Sequence, residues 1–159
     1  MEPIPSTAEI LAFKMIGNNV NKKWIDWAYA MLLTGFETEN LIILAGEIEP
    51  YNQFELRRLT DNIFDELNLT WEDEEQVYKN YASYLIKAAL DGKIQIINVL
   101  DILKDVYIGM NYNPPYSDFY SLYYAYDDLK YSENQWYWPG ATRENIDEII
   151  KEYFVKWII

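Results

Sequence analysis

The chain has no cysteine and no histidine among its 159 residues, and each absence removes a class of chemistry. Without cysteine there is no disulfide and no thiolate chemistry, and a reducing cytoplasm is the compartment that fits most simply. Without histidine the commonest general base, the commonest transition-metal ligand and the unperturbed pH switch near neutrality are missing. Ser-His-Asp and Cys-His catalysis, and zinc sites of ordinary composition, are therefore excluded for a single chain. Any catalysis would have to run on carboxylates, lysine, tyrosine or a carboxylate-bound hard cation.

Glycine is also scarce, with six scattered residues and no G-x-G-x-x-G or G-x-x-x-x-G-K-[ST] to cradle a phosphate. Ser6, Ser83, Ser117, Ser121 and Ser132 lie in no nucleophile-elbow context. An enzyme is the minority reading, and no cofactor and no metal are expected. Basic residues are few: thirteen against twenty-six acidic ones, for a formal charge of −13. Such a chain is repelled by phosphate backbones and anionic lipid, so no nucleic-acid and no membrane partner is expected. A basic protein would be attracted, with fast association at low salt. The plainer account of the acid is solubility for a tyrosine-rich surface. Long apolar runs are absent too. LIILA at 41–45 is too short to span a bilayer, and MEPIPSTAEI lacks the basic and apolar regions of a signal peptide. The expectation is a soluble cytoplasmic protein.

What is present is helix punctuation. Half the residues are apolar and a quarter charged, the usual globular balance, and the length predicts a single all-helical domain, 1–159. Ser6 or Thr7 is placed to cap a first helix to about Ile16, ended by Gly17-Asn18-Asn19. Asn21 opens a second, with Trp24, Trp27, Ala28, Met31 and Leu32 on one face and Gly35 as the stop. Thr38 caps a short third helix closed by Gly46. Asn52 and Glu55 are spaced as a capping box for a fourth, whose predicted inner stripe is Phe54, Leu56, Leu59, Ile63 and Leu67. Thr70 with Asp73 marks the start of the longest helix, to about Leu90, with Glu72, Asp73, Glu74 and Glu75 suited to the positive end of its dipole. Ile96 to about Met110 follows, with Val99, Leu103 and Val106 or Tyr107 inward, and Asn113-Pro114-Pro115 breaks it. A last helix, capped by Thr142, faces Ile146, Ile149, Ile150, Tyr153 and Trp157 inward. No segment alternates with period two, so the fold class is all-α: a compact bundle of seven or eight helices packed as successive antiparallel hairpins.

The stretch WIDWAYAMLLTGFETENLIILAGE, 24–47, resembles a pattern in short bacterial all-helical proteins of unknown function. In these an amphipathic helix ending in Gly leads through a polar cap into a short Leu-rich helix ending Leu-Ala-Gly. The resemblance implies a bacterial, helical, non-enzymatic accessory protein, and some small acidic proteins of this sort are immunity proteins that neutralise toxins.

Acidic pairs one turn apart, Asp101 with Asp105, Glu144 with Glu148 and Glu148 with Glu152, share helix faces and could hold a hard cation. Solvated faces with Lys104 or Lys151 offsetting the charge are the simpler reading. The segment 116–138 is more unusual, with ten aromatic residues in twenty-three positions and Asp118, Asp127 and Asp128 among them. As a helix at roughly 100° per residue, its rings from Tyr126 through Phe119, Tyr123, Tyr116, Tyr120 and Tyr131 to Tyr124 fill an arc of about 160°. Leu122 and Leu129 extend the Tyr126 edge, Asp127 falls mid-arc, and Asp118, Ser121, Ala125 and Asp128 lie opposite. If buried, Asp127 would accept hydroxyls from Tyr120, Tyr123 or Tyr124.

The candidate partner-binding residues are Tyr120, Tyr124, Asp127, Asp128, Trp136 and Trp138. The leading expectation is an acidic cytoplasmic protein-binding module, an immunity or antitoxin-type inhibitor that steers in a basic protein partner and anchors it on rings. The alternative is a small-molecule or glycan binder using 116–138, or a carboxylate-only hydrolase with Asp127 and Glu133 or Asp128 as its pair. A third reading buries the rings at a homo-oligomer interface.

Overall fold

The structure, a computed structural model, describes all residues from Met1 to Ile159. It is all-helical. The helices are α1 (Thr7–Ile16), α2 (Lys22–Leu33), α3 (Glu39–Ala45), α4 (Gln53–Glu66), α5 (Glu74–Leu90), α6 (Ile96–Gly109), α7 (Ser117–Tyr131) and α8 (Ile146–Trp157), with one 3-10 turn at Pro114–Tyr116. Chain neighbours pack on one another, α2 on α3, α3 on α4 and α6 on α7, as short connections between antiparallel hairpins require. No helix is long and apolar enough to cross a membrane. Contacts divide the chain into Met1–Tyr84 and Leu85–Ile159, a division that falls inside α5, where no linker composition marks it.

In Met1–Tyr84 most of the expected punctuation forms bonds. Asn21 accepts from the Lys23 amide, Thr38 from Leu41 and Asn52 from Glu55, each satisfying a donor the helix leaves open. Gly17, at φ 85°, closes α1 in the left-handed conformation that residues with a Cβ resist. The core is aromatic: Trp24 lies 6.3 Å from both Phe13 and Phe64, and Trp27 meets Phe64 edge-on. Gln53 pairs its side-chain amide with both peptide groups of the buried Val20, each bond 2.8 Å.

Four expectations need correction here. Neither Ser6 nor Thr7 caps α1: Ser6 makes no side-chain bond there, and Thr7 is buried, its hydroxyl accepting the Trp27 indole N–H at 2.9 Å. The start of α5 is held by Asp73, which accepts the Gln76 amide, and Thr70 lies outside the helix. Phe54 is 74 % exposed, and the inner line of α4 runs through Leu56, Thr60, Ile63 and Phe64. Gln53 explains the difference: with it turned to Val20, the next position points away from the core. Leu59 and Leu67, also placed on that stripe, are only half-buried.

In Leu85–Ile159 the core is built from Val99, Leu100 and Leu103 of α6, Phe119, Leu122, Ala125 and Leu129 of α7, and Ile146, Ile150 and Phe154 of α8. The inward face of α8 is thus centred on Ile146, Ile150 and Phe154, with Ile149, Tyr153 and Trp157 half-buried beside it. Thr142 does not cap α8 through its hydroxyl. Its amide instead donates to Asn145 Oδ1 at 2.6 Å, while Asn145 Nδ2 donates to the Gly140 carbonyl.

Candidate functional site

The buried line of α7 lies about a third of a turn from the middle of the aromatic arc. The Leu122–Leu129 edge faces the core, and Ala125, expected on the far side, is fully buried. Tyr120, Tyr123, Tyr124 and Tyr126 are consequently left half-exposed on the flank. Size is the reason: the small Ala125 and the leucines admit close helix packing, whereas tyrosines on that line would bury hydroxyls that each need a partner.

The rings sort into two groups. In the inner one, Phe119 lies 4.9 Å from Trp157 and 5.8 Å from Tyr153, Tyr116 is 6.0 Å from Trp157, and Trp138 meets Tyr153 edge-on at 5.8 Å. The Tyr153 hydroxyl donates to Asp118 Oδ2 at 3.0 Å. Burial, then the charge of Asp118 and that hydrogen bond, raise the Tyr153 ionisation well above the ordinary tyrosine range. The outer group is a tyrosine surface. Tyr120 and Tyr124, one turn apart, have centroids 4.7 Å apart, and Tyr137 lies 5.6 Å from Tyr124 and 6.3 Å from Tyr120. Tyr107 is buried beside this group, 5.8 Å from Tyr120 and 5.6 Å from the exposed Tyr112.

Lys104 supports this surface from below. It is only 9 % exposed, with its ammonium 4.2 Å from the Tyr123 ring centre and 2.9 and 3.0 Å from Asp101 and Asp105. Burial disfavours its charge, but the bonds to Asp101 and Asp105 outweigh that and hold its pKa above the ordinary value. The Asp101–Asp105 pair therefore already holds a cation, the chain's own. No group of three or more acidic side chains converges as a metal centre would require.

The turn after α7 is fixed by one side chain. Gln135 Oε1 accepts the amides of Tyr137 and Trp138 at 2.9 and 2.8 Å, and Nε2 donates to the carbonyls of Trp138 and Ala141. Arg143 donates from Nε to the carbonyls of Leu129 and Ser132, closing the end of α7. On this braced turn Trp136 is 90 % exposed and touches no other ring.

Of the six candidate residues, Tyr120 and Tyr124 stand together. Trp136 and Trp138 are divided, one in solvent and one packed on Tyr153. Asp127 and Asp128 are half-exposed, and the Asp127 carboxylate accepts no hydroxyl from Tyr120, Tyr123 or Tyr124. Sequence reasoning did not mark Tyr112 or Gln135, and it had Tyr107 only as an inward position and Lys104 only as an offset to the charge of Asp101 and Asp105, a pairing the structure contains. Nothing local marked Gln135.

Comparison with protein-family models, with curated proteins and with solved structures finds no match to this chain.

Proposed function

We propose that the chain is an acidic, cytoplasmic protein-binding module that inhibits a basic partner by occluding it, as immunity and antitoxin proteins do. The observation that carries this reading is the exposed Trp136 indole on a turn already held by Gln135. An exposed tryptophan on a loose loop would lose ordering entropy on binding. One on a braced turn keeps more of its contact energy. The neighbouring Tyr120, Tyr124 and Tyr137 widen the contact, and tyrosine and tryptophan dominate binding hot spots. The net charge of −13 selects the sign of the partner and speeds encounter at low salt.

A photo-crosslinking residue at position 136, compared with one at exposed Val155, tests this in cells. The expected product is a basic protein captured from 136 and not from 155, with capture falling at high salt. Trp136→Ala in the purified pair is expected to weaken binding by about 30-fold, the effect of losing a hot spot of ~2 kcal/mol. Capture of no protein, or of acidic ones alone, would overturn the reading.

A further inference from the structure

The acid is not spread evenly. Between Glu37 and Glu75 the sequence holds twelve acidic residues against two basic ones, Arg57 and Arg58. This stretch comprises α3, the loop to α4, α4 and the approach to α5. Few of its carboxylates are engaged. Asp61 pairs with Lys14 and Glu66 accepts from Asn40, while Glu39, Glu47, Glu49 and Glu55 meet no lysine or arginine.

The same stretch turns large apolar side chains outward. Leu41 and Leu44 fill the core side of α3, so Glu39, Ile42 and Ile43 form its outer face. Ile42 is 58 % and Ile43 44 % exposed, and Ile48 in the following loop is 79 % exposed. With Phe54 at the start of α4, four exposed apolar side chains fall within thirteen residues. One exposed isoleucine is ordinary; four large apolar side chains exposed within thirteen residues, in a stretch whose Glu39, Glu47, Glu49 and Glu55 meet no cation, are apolar area that a docked partner would cover.

Charge decides what covers it. A second copy of the chain would bring the same negative excess and be repelled, as would nucleic acid or anionic lipid. A wholly apolar partner would strand the carboxylates without counter-charges. We infer that the α3–α4 face is a docking surface for a lysine- and arginine-rich amphipathic segment of a partner protein. Its cations meet Glu47, Glu49 and Glu55, and its apolar side covers Ile42, Ile43, Ile48 and Phe54. This surface belongs to Met1–Tyr84, shares no residue with the Trp136 turn, and stands whether or not that turn binds anything.

The test uses the full chain and a synthetic amphipathic Lys/Leu helix, with oligolysine of equal charge as the comparison. Backbone amide shifts locate binding on the unaltered protein, and calorimetry at low and high salt measures it. The Lys/Leu peptide is expected to shift amides from Glu39 to Glu55 and to bind at least tenfold more tightly than oligolysine. Ile42→Ser with Ile43→Ser should weaken it about tenfold, the scale of losing a central apolar anchor. Glu47→Gln with Glu49→Gln should weaken it and flatten its salt dependence, while Trp136→Ala should leave it unchanged. Equal binding of oligolysine, shifts mapping elsewhere, or dependence on Trp136 would overturn the inference. The shift map needs no variant, so a destabilised serine variant does not leave the inference untested.

Discussion

Gln135→Ala separates the shape of the aromatic turn from its contacts. The substitution deletes two acceptor bonds to the Tyr137 and Trp138 amides and two donor bonds to the Trp138 and Ala141 carbonyls. At about 0.5–1.5 kcal/mol net each, four such bonds sum to roughly 2–6 kcal/mol. That sum is too large here, because Gln135 is half-exposed and Tyr137 exposed, so water replaces much of what is lost. A cost of about 1–2 kcal/mol remains for opening the turn, equivalent to roughly 5–30-fold faster amide exchange. The assay is hydrogen exchange read at Tyr137 and Trp138 individually. Trp136→Ala is the control: it removes the indole, leaves all four bonds, and is expected to leave exchange at both amides unchanged. Global melting should barely move for either variant, since the turn opens without the core. Unaltered exchange at both amides in Gln135→Ala would refute the claim that this side chain holds the turn, and with it the preorganisation of Trp136.

Two further outcomes concern the groups behind the surface. Lys104→Met keeps an apolar stem but removes the ammonium from Asp101, Asp105 and Tyr123. With both carboxylates more than half exposed, the expected loss is about 1–2 kcal/mol in urea unfolding, combining two weak ion pairs with the cation–π contacts to Tyr123 and, more distantly, Tyr124. A gain in stability would mean that desolvation of the lysine dominates instead. The second outcome is alkaline. Tyr153 and Lys104 both have folded pKa values above their unfolded ones, so the folded state holds protons that the unfolded state releases. Their contribution is therefore complete below pH ~10 and declines as pH rises above it. Tyr153→Phe should reduce that decline in urea-unfolding midpoints, and an identical pH dependence would count against the Tyr153 hydroxyl, held protonated by burial and by Asp118, as its source.

The helices were legible where a local device sets them. Asn21, Thr38 and Asn52 are caps whose bonds close within two or three residues, so spacing alone reveals them. Orientation was less legible where it depends on distant partners. Phe54 satisfies the period of an inner stripe, yet Gln53 is committed to Val20, thirty-three residues earlier, and the register of α4 follows that bond. In α7 the density of rings drew attention to the wrong centre, because packing selects the small Ala125 over the large tyrosines. Ring number was visible in the sequence. The division into an inner stack and an outer tyrosine surface was not, since Trp157 and Tyr153 arrive from α8 and Tyr107 and Tyr112 from α6 and its end.

The Gln53–Val20 pairing also bears on how the chain assembles. A glutamine side chain there imitates a neighbouring strand, offering one donor and one acceptor to the backbone of a single residue. The connection between α1 and α2 therefore has no complete set of bonds until the first turn of α4 exists. A nascent chain halted before Gln53, or a fragment cut there, leaves the amide and carbonyl of Val20 to water instead of to a side chain. The first two helices are early in sequence but late in acquiring their final joint.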